Sequence, residues 1–227
     1  MSGAAVRPRW LAWGAAWLLL CAFAAALVLA SPSGGAATAS PDPATAADAG
    51  FARDMAVHHQ QAVEMSFLVR DNTDDEAVRT LAYDVINTQA NQRGMMLGWL
   101  DMWQAPKVSA DGAMTWMDGH SGGMAVTEMP GMATREQLDR LKAAKGRDAE
   151  VLYLQLMIPH HQGGVAMAEA AEKQAKNPQV KALAGGMVRA QQSEIDLMTS
   201  MLTQRDATAM PASSAPAPST PVPPAHH

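Results

Sequence analysis

The chain has 227 residues, with 17 Lys+Arg against 22 Asp+Glu and a formal charge of −5. Setting Arg7 and Arg9 aside, residues 31–227 hold 15 basic against 22 acidic residues with no basic block, which excludes a partner read through its phosphates, such as nucleic acid. The single cysteine, Cys21, excludes an intramolecular disulfide framework, a thiolate zinc site and an iron–sulfur cluster, so the sulfur of this protein is thioether: 17 Met beside 3 Phe and 2 Tyr.

Trp10 to Ala30 run without a charge behind two arginines. As a helix, this stretch reaches about 31 Å, the thickness of a bilayer core. Residues 1–30 therefore predict a membrane anchor, or a signal sequence removed at Ala37-Thr38-Ala39. The arginines hold the N-terminus in the cytoplasm, so the remainder is exported, either tethered outside the membrane or released. Residues 31–49, made of small residues and proline, predict a flexible linker. Residues 207–227, with six prolines, predict a disordered tail ending in a solvated His226-His227.

Between them, residues 50–206 carry helical periodicity and no convincing strand alternation. Helices are expected over 46–70, 74–103, 134–172 (with a break near Gly146) and 177–204. Asp75 and the Asn177-Pro178 step mark two of the starts. A shift of 102 residues lays 51–100 on 153–202 without a gap and with twelve identities, among them Met55/Met157, His58/His160, His59/His161 and Met65/Met167. Two hairpin repeats, 51–103 and 134–204, joined by a Met-rich connection over 104–133, predict an all-α four-helix bundle.

The repeated motif is Met-x-x-His-His with a further Met six residues on. At about 100° per residue, Met55, His58, His59 and Met65 share one helix face, with the small Ala62 (Gly164 in the second copy) among them. Pro159 removes a backbone donor beside His160, where a kink is expected. Imidazole and thioether are neutral, soft ligands suited to Cu(I) and, as its surrogate, Ag(I). The Glu-x-x-His of di-iron bundles and the His-Glu-x-x-His of zinc proteases are both absent. The competing reading makes the methionines core filling and the histidines a hydrogen-bonded pair with Gln89 or Gln191. From Met95 to Met132 there are eight methionines in 38 positions. His120, Met124, Met129 and Met132 read as a second, loop-borne clamp for a soft metal, or else as part of a flexible lid.

The stretches MAVHHQQAVEM, LAYDVINTQANQRGMMLGWL, MPGMATREQLDRLKAAKG, LMIPHHQGGVAMAEAA and LAGGMVRAQQSEIDLMTSML resemble the bacterial domain-of-unknown-function family 305 over residues 50–204. The resemblance implies a ferritin-like four-helix fold without a di-iron centre, export and, for some relatives, copper or silver binding through Met and His in the cell envelope. One departure stands in the first hairpin, where Gln89-x-x-Gln92 replaces the usual Gln-x-x-Glu that the second keeps as Gln191-x-x-Glu194.

The reading is a non-enzymatic, exported protein that buffers or delivers Cu(I) or Ag(I), exchanging it with a copper-handling envelope protein. Its expected ligands are Met55, His58, His59, Met65, Met157, His160, His161 and Met167. The rival is a helical interaction module with structural His pairs. No nucleophile–base pair, carboxylate dyad or phosphate loop points to an enzyme.

Overall fold

A computed structural model describes residues 44–118 and 122–209. Its elements are α1 (Ala46–Arg70), α2 (Glu76–Met102), a 3₁₀ turn (Val126–Glu128), α3 (Arg135–Ala143), α4 (Gly146–Gln174) and α5 (Pro178–Thr203). Among the described residues the secondary structure is helical apart from one isolated antiparallel bridge, Ala113 to Met124. None of the described helices is long and apolar enough to cross a membrane. The expected anchor at 10–30, most of the linker, His120 and the tail beyond 209 lie outside the described residues.

Local chemistry accounts for the helix starts. Thr45 and Asp48 form a capping box on α1, Asp75 caps α2, Thr134 and Gln137 box α3, and Asn177 caps α5 with Pro178 in its first turn. Thr45 and α1 take in residues assigned above to the linker. The fully buried Asp48 also accepts from the backbone N–H groups of Lys176 and Asn177, at 3.0 and 2.9 Å, and so ties the start of α1 to the start of α5. At the other end Gln155 donates to the carbonyl of Thr208, which docks the first residues of the expected tail.

The break expected near Gly146 falls between α3 and α4. Gly146 adopts φ +52°, a conformation that favours glycine, and its N–H donates to the carbonyl of Asn72 at 2.7 Å. The Asn72 amide donates in turn to the carbonyls of Leu141 and Lys142. Helix α4 then runs on through Pro159 without interruption.

Helix α1 packs on α2 and α4 on α5, while α1 and α4 pack on each other as the inner pair. Two apolar clusters result. One holds Met65, Val69, Leu81, Tyr153, Met157 and Met198; the other holds Phe51, Met55, Met96, Met167 and Met187. Met65 thus joins the repeat equivalent of Met55, and Met55 joins the repeat equivalent of Met65. That exchange is what a twofold relation between the hairpins requires.

The connection departs from its expected form. In place of a loop-borne clamp or flexible lid, Met114 and Met129 are buried and Met124 and Met132 half-buried. Three long-range ties fold it onto the bundle. The buried Asp54 carboxylate accepts from the Met114 N–H at 2.7 Å and from the Trp116 indole at 2.9 Å. The Trp116 ring lies edge-on to Phe51, in space that a Cβ on Gly50 would occupy. Gln61 clamps Ala133 from both sides, donating to its carbonyl and accepting its N–H.

Candidate metal centre

The inner helices bring the two His pairs together. His58 and His160 stack with ring centroids 3.9 Å apart and an interplanar angle of 33°, and His161 lies 6.2 Å from His160. All four rings are buried, none more than 1 % exposed. The segment Met129–Ala133 lies over this layer. A Cβ on Gly131 would stand 2.2 Å from the Pro159 carbonyl, and one on Gly163 would stand 2.0 Å from the Pro130 carbonyl, so both glycines are needed for this close approach.

Three of the histidines are anchored through the same ring atom. His58 Nε2 donates to the Pro130 carbonyl at 3.1 Å, His59 Nε2 to the Gln92 side-chain oxygen at 2.8 Å, and His161 Nε2 to the Glu194 carboxylate at 2.7 Å. The tautomer is assigned from these partners: each is an oxygen that accepts, so Nε2 carries the proton and the lone pair of a neutral ring is left on Nδ1. The Nδ1 atoms of His58, His59 and His161 have no protein partner, and neither ring nitrogen of His160 has one.

Burial holds His58, His59 and His160 toward the neutral form. Burial pushes His58 down to about 4 against the pull of the Pro130 carbonyl, with His161 adding a smaller push in the same direction. Burial and then the neighbouring His58 take His59 down to about 3. His160 lies well below its ordinary value, chiefly through burial and then through the other three rings. Neutral imidazoles with buried, unpartnered lone pairs are in the protonation state that metal ligation needs. Among the described residues, however, no three His, Cys, Asp or Glu side chains gather as a ready-made metal site. Closure around an ion therefore calls on the thioethers of the adjoining clusters or on rotation of the stacked rings.

Of the expected ligands, Met55, Met65, Met157 and Met167 are fully buried in the two clusters described above. Met129 is buried in the second cluster, with Met124 and Met132 packed against it. Gln89 and Gln191, the partners the competing reading offered the histidines, are buried but do not bond to them; the partners of His59 and His161 are Gln92 and Glu194. Gly164 leaves its space to the Gln191 amide, whose oxygen would lie 2.4 Å from a Cβ there. The signal for Gln92 and Glu194 was in the repeat. Each stands 33 residues beyond its histidine, so the shift that pairs His59 with His161 pairs these two as well. The Pro130 carbonyl carries no comparable mark in the sequence.

Solved structures share this fold. A DUF305 protein from Streptomyces coelicolor, described as secreted, is 57% identical with a TM-score of 0.68, over 72% of this chain and 96% of that one. A DUF305 fragment from Deinococcus radiodurans is 29% identical with a TM-score of 0.61, over 71% and 99%. CopM in its Cu(II)-bound form is 25% identical with a TM-score of 0.56, over 70% and 97%. Among curated proteins, uncharacterized protein L153 of Acanthamoeba polyphaga mimivirus is 40% identical over 53 residues, which cover 23% of this chain and only 35% of that protein. The family model for the domain of unknown function DUF305 matches residues 48–202, and the chain belongs to that family.

Proposed function

We propose that this domain binds a soft monovalent metal ion, Cu(I) or Ag(I), at the layer formed by His58, His59, His160 and His161. Thioethers from Met55, Met65, Met157 and Met167 complete the ligand set. One observation carries the reading: five imidazole nitrogens are buried without a partner on four adjacent rings. Buried polar atoms are nearly always satisfied, and such a concentration of exceptions marks a place where something else binds. An interaction module with purely structural histidines leaves these nitrogens unexplained. CopM, which shares the fold and was solved with Cu(II) bound, supports copper as the element bound, though not its oxidation state. The ion is cargo rather than a catalyst, and the protein is a non-enzymatic buffer or carrier of the cell envelope, exchanging metal with a copper-handling partner. Met124, Met129 and Met132, with His120, form an auxiliary acceptor on the connection.

A competition titration of the full chain against a Cu(I) chelator tests this. Replacing His58, His59, His160 and His161 by Ala should weaken Cu(I) binding by more than the roughly 10–100-fold loss expected of an outer-shell change alone. Unchanged Cu(I) affinity in that variant would sink the reading.

A further inference from the structure

Imidazole and thioether are uncharged ligands, so what remains to balance a bound ion is the set of groups behind the rings. The twofold relation places one such group behind each outer histidine. In the first hairpin it is the neutral Gln92, 2.8 Å from His59 Nε2; in the second it is Glu194, 2.7 Å from His161 Nε2. Among the described residues Glu194 is the one carboxylate bonded to any of the four rings. We infer that the Gln92/Glu194 asymmetry tunes this site for monovalent cations, with Glu194 supplying a single compensating negative charge and Gln92 withholding a second. The inference rests on the metal reading of the His layer and names the residues that set its selectivity.

The physics concerns a charge taken out of water. An ion buried among neutral ligands loses its hydration, and the loss is tolerable only where opposite charge stands close by. With one carboxylate behind His161, a monovalent ion leaves the centre neutral, whereas a divalent ion leaves one positive charge uncompensated. Gln92 holds His59 in the same tautomer as Glu194 holds His161, because both present an oxygen acceptor to Nε2. The two residues are therefore alike in positioning and unlike in charge. Both are positioning residues that need not touch the ion.

The test uses the full chain with Ag(I) as the redox-inert monovalent probe and Zn(II) as the divalent one, each titrated by competition. Gln92→Glu should raise the preference for Zn(II) relative to Ag(I) by about tenfold or more, since a unit charge a few ångströms from an ion acts at that scale even under strong screening. Glu194→Gln should weaken Ag(I) and Zn(II) together, with Zn(II) weakened more. ¹⁵N NMR of the imidazoles should show Nε2 still protonated in both variants, which separates charge from positioning. If Glu194→Gln fails to fold, Gln92→Glu alone carries the decision. If both variants keep the wild-type Ag(I)/Zn(II) ratio while a His58→Ala/His160→Ala variant loses Ag(I), the selectivity inference is wrong and the site stands. If the His variant binds Ag(I) like wild type, the metal reading itself has failed.

Discussion

His58 and His59 pay for their surroundings in acid. Their ordinary value is 6.5, and in the folded protein burial lowers it to about 4 and about 3. Between these limits the unfolded chain takes up protons that the folded chain refuses, so stability rises with pH across the window. It is complete above about 6.5 and drains away as the pH falls toward 4. Thermal unfolding of the metal-free protein should show a midpoint that drops steadily from pH 7 to pH 4, and a His58→Gln/His59→Gln variant should lose much of that slope. Asp54 makes a second prediction at this scale. Asp54→Ala strands the buried Met114 N–H and Trp116 indole, at a cost of about 1–3 kcal/mol for each unsatisfied donor. Chemical denaturation should show the loss, and the Trp116 emission should shift to the red as the indole leaves its place against Phe51.

Two glycines on different helices should respond oppositely to one added methyl. On α4, Gly163→Ala drives a Cβ into the Pro130 carbonyl and should destabilise the fold by about 1–3 kcal/mol. On the outer face of α2, Gly94 meets nothing within 4 Å, and Gly94→Ala should stabilise by about 0.5–1 kcal/mol through the unfolded chain and helix propensity. Denaturant midpoints of the two variants, moving in opposite directions, check both. The helices themselves were legible in the sequence, because periodicity and the caps at Asp75 and Asn177 act within a few residues of where they stand. The folded connection was not. Asp54, Gln61 and the Pro130 carbonyl bond to partners 60–72 residues away, and no local pattern announces such a bond. The methionines of 104–133 therefore read as a loop-borne clamp or flexible lid, whereas Met114 and Met129 fill the core.

For the molecule as a whole, the repeat does more than record ancestry. It places equivalent side chains on either side of an internal axis, which is why His58 meets His160 and why Met65 shares a cluster with Met157. A ligand held at that axis is gripped by both hairpins at once and stabilises the entire fold by mass action. Ag(I) at about one hundred times its dissociation constant should add about 2.7 kcal/mol to the unfolding free energy of the full chain. The gain should vanish in the His58→Ala/His160→Ala variant; an equal rise in both proteins would place the bound silver elsewhere.

The segment Met129–Ala133 is seated over the rings by Gln61 and by the two glycine contacts, and under the proposed function it would set the timing of release. For an ion bound at the proposed centre, a competing chelator would have to wait until the segment lifts, and escape would be a first-order event belonging to the protein alone. The measured off-rate should rise with chelator at low concentration and then reach a plateau equal to the opening rate. Gln61→Ala, which unfastens Ala133, should raise that ceiling while leaving the ligands in place. A carrier of the proposed kind would in this way keep its ion from adventitious thiols and surrender it to a partner able to pry the segment open.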